Sequence, residues 1–281
     1  MPKTLLEHNN SVWSVAILDN GRIASGSYDN TIKIWNMSNS FSLLTLTGHK
    51  NAITSLIVLQ NGNLVSGSND FTIKIWNPND GSLIKTLTGH KMYVIALTLL
   101  QNGNFASGSY DQTIKIWNGN DGSLIKTINE SSYILALITL QSGYIATGTY
   151  DYQIRIWDTN QALLIKSLKL VSSYVTSFCL LHNGYLVSGL GDNTFMIWNP
   201  NDGRLISTIL GHTGPVTALA VLQNGYLVTG STDNYIKMWN GNFGKFVQTL
   251  GHHDSCVSSM VVAENGFLVS GSYDKSVKIW S

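Results

Sequence analysis

Residues 66–76 read Ser-Gly-Ser-Asn-Asp-Phe-Thr-Ile-Lys-Ile-Trp, and this pattern returns with few changes at residues 25–35, 107–117 and 270–280. A tryptophan ends each copy and lies 41 residues after the previous one, except for one step of 40: Trp35, Trp76, Trp117, Trp157, Trp198, Trp239 and Trp280. A fixed period of this length marks one supersecondary unit that cannot bury its own hydrophobic face. The seven copies must therefore stack on one another to form a core.

Within one copy the apolar residues alternate in twos, which predicts short β-strands rather than helices. The first two strands of each unit are separated by an Asn-Gly or Ser-Gly pair, which favours a type I′ hairpin with positive φ at both positions. The pairs are Asn20-Gly21, Asn61-Gly62, Asn102-Gly103, Ser142-Gly143, Asn183-Gly184, Asn224-Gly225 and Asn265-Gly266. A second turn carries the Asp of the repeated pattern, and an Asn-Asp-Gly turn follows at residues 79–81, 120–122 and 201–203. Each unit is thus expected to be a four-stranded antiparallel sheet.

With Gly-His at Gly48-His49, Gly89-His90 and Gly211-His212, and Trp-Asp at Trp157-Asp158, the chain resembles the WD-repeat (WD40) family along its whole length. The resemblance implies an all-β, seven-bladed β-propeller with four-stranded antiparallel blades. It also implies a ring closed by the N-terminal strand, because residues 3–7 look like the outer strand that the last blade lacks. We expect a single propeller domain over residues 1–281.

The composition limits the classes of molecule that the protein is expected to bind. Only 12% of the residues are charged, the net charge is +1 and no run of like charge occurs, so neither nucleic acid nor a membrane surface is an expected partner. The two cysteines are too few for a disulfide framework, and no signal peptide or membrane-spanning segment stands out. We therefore expect a cytoplasmic (intracellular) protein that acts as a monomeric domain within a complex.

Each repeat brings together a Ser or Thr, a His, an Asp and a Trp, which superficially resembles a hydrolase triad. Seven equivalent copies favour structure over catalysis, and the family resemblance implies a buried hydrogen-bonded network in each blade. No catalytic residue, cofactor or metal site is predicted. The network residues carried over by motif position are His8, Ser25, Asp29, Trp35, His49, Ser66, Asp70, Trp76, His90, Ser107, Asp111, Trp117, Thr147, Asp151, Trp157, Ser188, Asp192, Trp198, His212, Thr229, Asp233, Trp239, His253, Ser270, Asp274 and Trp280.

Two repeats depart from the pattern. The His position lies four residues before the first apolar residue of the next strand, which selects His253 over His252 in the seventh repeat. The same position holds Glu130 in the fourth repeat and Val171 in the fifth. These repeats have either drifted or been released for another use, and we expect their networks to be weaker than the others.

WD-repeat propellers generally bind peptides on the face that carries the Asp turns, through the residue before the Asp and two residues flanking the first apolar residue of the inner strand. The first set is Tyr28, Asn69, Tyr110, Tyr150, Gly191, Thr232 and Tyr273. The second set is Ser11, Trp13, Ala52, Thr54, Tyr93, Ile95, Tyr133, Leu135, Tyr174, Thr176, Pro215, Thr217, Cys256 and Ser258. None of these twenty-one positions is charged.

An aromatic, uncharged face favours a peptide or protein segment anchored by apolar or aromatic side chains. The densest group is predicted on blades three to five, and replacing Thr54 and Thr217, which lie outside it, should do little to partner binding. The candidate partner-binding residues are Trp13, Tyr28, Tyr93, Ile95, Tyr110, Tyr133, Leu135, Tyr150, Tyr174 and Tyr273.

Other interpretations stay open at the level of sequence. Aromatic faces also stack on sugars, so a carbohydrate-binding propeller is the alternative function, and an aromatic cage for a methylated lysine is compatible with the tyrosines. Repeat amplification alone also explains Tyr28, Tyr110 and Tyr273, as in an excised or artificial repeat module without a selected ligand. Trp13 fits rim packing as well as binding.

Overall fold

The computed structural model describes residues 2–19, 21–170, 173–241 and 244–281. In these residues twenty-eight strands form seven four-stranded antiparallel sheets, and no helix occurs. The sheets are arranged as the blades of a propeller, which confirms the predicted fold class. The chain passes through each blade from the axis outward, so the first strand of a repeat is the inner strand.

Inner strands surround the axis, and each contacts the inner strand of the next blade. They are β2 (Val12–Ile17), β6 (Ile53–Val58), β10 (Val94–Leu99), β14 (Ile134–Thr139), β18 (Val175–Leu180), β22 (Val216–Val221) and β26 (Val257–Val262). The second strands are buried along their whole length: β3 (Ile23–Ser27), β7 (Leu64–Ser68), β11 (Phe105–Ser109), β15 (Ile145–Thr149), β19 (Leu186–Leu190), β23 (Leu227–Ser231) and β27 (Leu268–Ser272).

The third strands contain the periodic tryptophans. They are β4 (Ile32–Trp35), β8 (Ile73–Trp76), β12 (Thr113–Trp117), β16 (Gln153–Asp158), β20 (Thr194–Trp198), β24 (Tyr235–Asn240) and β28 (Val277–Trp280). The outer strands are largely exposed: β5 (Ser42–Leu46), β9 (Leu83–Leu87), β13 (Leu124–Asn129), β17 (Leu163–Lys169), β21 (Leu205–Leu210), β25 (Lys245–His252) and β1 (Lys3–Leu5).

The N-terminal strand closes the ring, as the sequence predicts. β1 pairs with β28 in antiparallel register, with Lys3 opposite Ile279 and Leu5 opposite Val277. The last blade therefore has the strand order β1-β28-β27-β26, and its inner strand contacts β2 of the first blade. Each blade keeps two sheet edges, an inner strand that packs against the inner strands of its neighbours and an outer strand at the rim.

The hydrophobic core lies between neighbouring blades. Trp76 of the second blade packs with Ile32, Ile34 and Leu46 of the first blade in one buried cluster. The glycine of each Ser-Gly-Ser or Thr-Gly-Thr segment makes this approach possible, since a Cβ on Gly26 would lie 2.4 Å from Ile53 Cγ2 of the next blade. Small residues on the second strand thus let consecutive blades pack closely.

The hairpin turns between inner and second strands differ from the type I′ prediction. Gly62 has φ +80°, but Asn61 does not have a positive φ, and the amide of Gly62 donates to the carbonyl of Leu59 at 2.9 Å. The amide of Leu59 in turn donates to the carbonyl of Asn63. The loop is therefore a type I turn followed by one left-handed glycine, which needs only one positive φ. Asn20, in the first of these pairs, lies outside the described residues.

Candidate functional site

The predicted network of the first blade is present in the structure. The His8 ring lies with Nδ1 2.8 Å from Asp29 Oδ2 and Nε2 2.7 Å from Ser25 Oγ, and Trp35 Nε1 donates to the same hydroxyl at 2.8 Å. The structure brings the equivalent residues of the second, third, sixth and seventh blades together in the same way. In the seventh blade His253 makes these contacts, while His252 is exposed and its ring lies against Tyr235.

These networks have the composition of a catalytic triad but not its accessibility. Ser25, Ser66 and Ser107 are fully buried, so no substrate can reach their hydroxyls. Burial disfavours the ionised form of Asp70, but hydrogen bonds from His49 and Thr72 outweigh it and hold the pKa of that carboxyl well below its usual range. Each network therefore satisfies a buried indole N–H and a buried carboxylate at once.

The fourth blade has a different network, built on charge. Glu130 Oε1 accepts hydrogen bonds from Thr147 Oγ1 at 2.6 Å and from Trp157 Nε1 at 3.0 Å. The guanidinium of Arg155 bridges Glu130 Oε2 at 3.2 Å and Asp151 Oδ2 at 2.6 Å. Glu130 thus takes the position of the His side chain, and Arg155 links its carboxylate to that of Asp151. The expectation of a weaker network rests on the missing imidazole, and in the fourth blade Arg155 supplies Asp151 with another partner.

In the fifth blade the tryptophan keeps its partner. Trp198 Nε1 donates to Ser188 Oγ at 3.0 Å, and Asp192 Oδ1 accepts from the hydroxyl of Thr194 at 2.6 Å. Val171, at the His position of this blade, lies outside the described residues.

The face carrying the Asp turns is shaped by a β-bulge at the start of every inner strand. The pairing register shifts there, for example between Val12 and Ser14, so that Trp13 has no partner on β3. The bulged residues line the mouth of the axial channel: Trp13, Thr54, Ile95, Leu135, Thr176, Thr217 and Ser258. A bulge re-aims a side chain, and here it turns one residue per blade toward the axis.

Four of these bulged residues connect consecutive blades. Thr54 Oγ1 donates to the carbonyl of Val94 at 2.5 Å, and Ser258 Oγ donates to the carbonyl of Val12 at 2.5 Å. The hydroxyls of Thr176 and Thr217 make the same bond to Val216 and Val257. That replacing Thr54 and Thr217 should do little to partner binding stays a prediction, but both hydroxyls join one blade to the next, so their removal is expected to affect stability.

Next to the bulge, a backbone hydrogen bond joins the inner strand to the Asp turn of the same blade. The amide of Tyr110 donates to the carbonyl of Tyr93 at 3.0 Å, and the amide of Tyr150 donates to that of Tyr133 at 3.0 Å. Every blade repeats this bond between the residue before the Asp and the residue before the bulge. The two mapped sets of sequence positions therefore lie side by side on one face.

Six aromatic rings on this face form a continuous row, which we call the aromatic arc: Phe71, Tyr93, Tyr110, Tyr133, Tyr150 and Tyr174. Successive ring centroids lie 5.4–6.2 Å apart. The pairs Tyr110–Tyr133 and Tyr150–Tyr174, which meet across blade boundaries, are stacked, whereas the other three pairs of the arc are tilted. The arc runs from the second blade to the fifth.

The arc ends on a glycine. A Cβ on Gly191 would lie 2.8 Å from Cζ of Tyr174, so the Tyr174 ring covers the space that a tyrosine occupies in the third and fourth blades. Absence of a side chain at Gly191 therefore lets the last ring of the arc lie over its own blade.

Trp13 belongs to a separate aromatic group. Its indole stacks on Tyr273 of the seventh blade at 6.1 Å with an interplanar angle of 13°, and it contacts Tyr28 of its own blade at 5.5 Å. The group therefore spans the boundary at which the ring closes. Ile95 and Leu135 are half-buried at the channel mouth beside the arc.

Sequence reasoning missed three exposed residues of this face: Phe71, Met92 and Tyr152. Phe71 and Tyr152 follow the turn Asp and have φ +70° and +62°, a region that bulky side chains rarely adopt. The same position holds Asn30, Asn193 and Asn234 in other blades, so a bulky residue there was a detectable signal. Met92 directly precedes Tyr93 and extends the apolar surface outward.

The arc carries no formal charge at neutral pH. Burial, together with the neighbouring phenols of Tyr174, Tyr93 and Tyr150, raises the pKa of Tyr110, and burial raises the pKa of Tyr273 to about 12. Lys50 and Lys91 are exposed, and their amides donate to the turn Asp of the second and third blades. Within the described residues no group of three His, Cys, Asp or Glu side chains could hold a metal ion.

Comparison with known proteins identifies the family of the chain. The family model for the WD domain, G-beta repeat matches residues 2–36, 40–77, 81–118, 203–240 and 244–281. The chain belongs to the WD40 family. WD40 propellers are generally non-catalytic protein-interaction scaffolds. The segment 119–202 lies between two of the matches and contains Glu130, Val171 and the last three rings of the aromatic arc. No curated protein shows significant similarity to the chain. In the described part of the chain, no helix is long and apolar enough to cross a membrane.

Proposed function

We propose that this WD40 propeller is a non-enzymatic scaffold that binds an extended peptide or protein segment along the aromatic arc. The observation that carries the proposal is the continuity of the arc. Six rings in unbroken contact span four blades on one face, and Tyr93, Tyr133 and Tyr150 expose 38%, 39% and 56% of their surface. Contiguous exposed aromatic surface of this kind marks interaction sites.

The chemistry of the arc supports a partner anchored by apolar or aromatic groups. Tyrosine provides a large, rigid contact area with a polar tip, and it is enriched among the residues that dominate binding energy. A phosphorylated partner would require an arginine cluster, and the twenty-one mapped positions contain no charged residue. The partner residues that contact the arc itself are therefore expected to be uncharged.

The ring geometry favours a peptide over a sugar. Tyr110 and Tyr133 stack on each other with an interplanar angle of 26°, and Tyr150 and Tyr174 do so at 23°. These ring faces are turned toward one another, whereas a sugar would need a free face on which to stack. The edges and hydroxyls that remain exposed suit the side chains and carbonyls of a peptide.

The proposal includes an intracellular, reducing setting and a propeller that is monomeric until it joins its complex. Cys179 and Cys256 are both free and buried, and burial raises the pKa of the Cys256 thiol to about 11. Thiols in this state need no oxidising compartment.

Affinity capture with paired variants tests the proposed function. We expect a protein retained by the immobilised wild-type chain to be lost from Tyr133→Ala and from Tyr174→Ala, each of which should weaken binding by about 2 kcal/mol or more. The matched control is Tyr152→Ala, which removes an exposed tyrosine of the same face that lies outside the arc. Retention by both arc variants, at unchanged melting temperature, would reject the arc as the binding site.

A further inference from the structure

The backbone beside the arc has no hydrogen-bonding capacity to offer a ligand at its cross-strand positions. The amides of Tyr110, Tyr150 and Gly191 donate to the carbonyls of Tyr93, Tyr133 and Tyr174 at 3.0, 3.0 and 3.1 Å. A partner strand cannot add to this face as it would add to an open sheet edge, because these groups are already paired within each blade. Recognition has to use the side chains of the arc.

Those side chains present hydroxyl donors and ring edges. Among the described residues, no hydrogen bond uses the phenolic hydroxyl of an arc tyrosine. A phenolic hydroxyl is protonated at neutral pH and can therefore donate a hydrogen bond. Because the row lacks cations and amide donors, it suits a ligand that offers acceptors and apolar surface but few N–H groups of its own.

We propose, on the basis that the arc is the binding site, that the partner segment is proline-rich and binds in the polyproline II conformation. A prolyl residue has no N–H, so it leaves no unsatisfied donor on a face whose carbonyls are already bonded. Its carbonyl projects outward and can accept from a tyrosine hydroxyl, and its ring packs on aromatic edges. The segment is also preformed, so little conformational entropy is lost on binding to a row of rigid rings.

The ends of the arc differ in charge, which gives the segment a direction. The amides of Lys50 and Lys91 each donate to the turn Asp of their blade at 2.8 Å, while their side chains are exposed on the blades that carry Phe71 and Tyr93. The corresponding sequence positions of the fourth and fifth repeats, Ser131 and Ser172, are uncharged. Acidic residues of the partner therefore lie over the second and third blades, and the proline-rich stretch extends from there toward Tyr174.

A random twelve-residue peptide library, selected on wild-type protein after depletion on the folded double variant Tyr110→Ala/Tyr133→Ala, separates this inference from the proposed function. Enrichment of proline-rich peptides with acidic residues at one end supports the inference. Enrichment of peptides without proline overturns the inference and leaves the arc as a peptide site. Absence of any peptide that prefers the wild type overturns both.

Defined peptides test the contacts by fluorescence anisotropy. The probes are a proline-rich decapeptide with two aspartates at its N-terminus, the same peptide with the aspartates at its C-terminus, and a copy with alanine at every proline. We expect one aspartate order to bind more tightly, and the joint change Lys50→Ser/Lys91→Ser to remove that preference. Tyr133→Phe should weaken binding about five-fold, the loss of one hydrogen bond. Equal affinity for the alanine copy would overturn the inference.

Discussion

At the scale of single residues, the most informative positions are those where a bulky side chain occupies a backbone conformation with positive φ. Phe71 and Tyr152 have positive φ, which costs a bulky residue about 1 kcal/mol or more relative to asparagine. Phe71 contacts Tyr93 at 5.7 Å in the arc, whereas no ring contact of Tyr152 exists among the described residues. Strain retained at Phe71 is consistent with a role on the surface.

The pair Phe71→Asn and Tyr152→Asn separates strain from function. Tyr152→Asn should stabilise the fold by about 1 kcal/mol and leave partner binding unchanged. Phe71→Asn should gain less stability, because the contact with Tyr93 is lost, and it should weaken binding. Urea unfolding and the peptide titrations measure the two effects. The interpretation would be wrong if both variants changed binding equally.

The buried charges of the fourth blade give a second residue-scale prediction. Arg155→Met leaves the carboxylate of Glu130 buried without its cation and should destabilise the protein by about 3–5 kcal/mol. The double variant Glu130→Gln/Arg155→Met should recover much of this loss, since a neutral amide can still accept from Trp157 and Thr147. Denaturant unfolding of both variants is the measurement. A double variant no more stable than the single one would contradict the assigned role of the charge.

Acid sensitivity follows from the blade networks. The folded-state pKa of Asp70 lies below its ordinary value of 3.8, so its stabilising contribution is complete above pH 3.8 and is lost as the pH falls through and below that value. Burial also holds the pKa of His212 below its ordinary 6.5, so stability should already decline as the pH falls below 6.5. Melting temperatures at pH 7.5, 5.5 and 3.5 should show both steps. His212→Gln should reduce the first step, and Asp70→Asn should reduce the second.

Aligning the repeats by their tryptophans predicts which residues share a face, but it does not predict every contact between them. Aligning the repeats correctly placed Tyr93, Tyr110 and Tyr133 on one face. The alignment could not show that Phe71 joins them, because that contact forms between neighbouring blades. It also missed Arg155, which occupies a position held by Lys in most other repeats and looks like a conservative exchange. The new partner of Arg155 is Glu130, 25 residues earlier in the chain.

At the scale of strands, the β-bulge decides which residues face the axis. Alternation along β2 or β10 predicts strands correctly, but it cannot reveal that one residue at the start of each inner strand is unpaired. Nothing in the alternation therefore indicates that the hydroxyls of Thr54 and Thr217 bond to the next blade. Where Ile95 and Leu135 replace the hydroxyl, the channel mouth is apolar and adjoins the arc.

Replacing these hydroxyls tests their contribution to the ring. Thr54→Val and Thr217→Val keep the side-chain shape but remove the bond to the carbonyl of the next blade, so each should cost about 1 kcal/mol of stability. Partner binding at the arc should stay the same after either change. Urea unfolding measures the cost, with Thr45→Val on the outer strand β5 as a control whose hydroxyl contacts only the side chain of Lys33. Unchanged stability at Thr54 and Thr217 would show that the bonds do not hold the blades together.

At the scale of the whole molecule, all seven blades pack against their neighbours, but the seventh blade is assembled from the two ends of the backbone. In the second, third, fifth and sixth blades, the turn between the third and outer strands lays a glycine over the preceding blade, as Gly122 does over Leu87 and Gly203 over Leu168. Where Ser281 and Pro2 face each other, Leu250 has no such cover. An apolar cavity of about 250 Å³ remains there, lined by Leu222, Leu250, Leu268 and Trp280. Trp280 is accordingly more exposed than the six other periodic tryptophans.

Cyclising the backbone should remove this difference between the seventh blade and the others. Alignment of Lys3 with Lys85 shows that a five-residue linker with the sequence of residues 78–82 (Pro-Asn-Asp-Gly-Ser) would join Ser281 to Met1 with the spacing of the second blade. The cyclic protein should melt at a higher temperature, because the linker covers Leu250 and lowers the entropy of the unfolded chain. A circular permutant with the same linker, opened within residues 118–123, is the matched control. It moves the gap beside Leu87 without removing it, so its melting temperature should stay close to that of the original chain. If the permutant gained as much stability as the cyclic protein, the gap at the chain ends would not be the weak point of the ring.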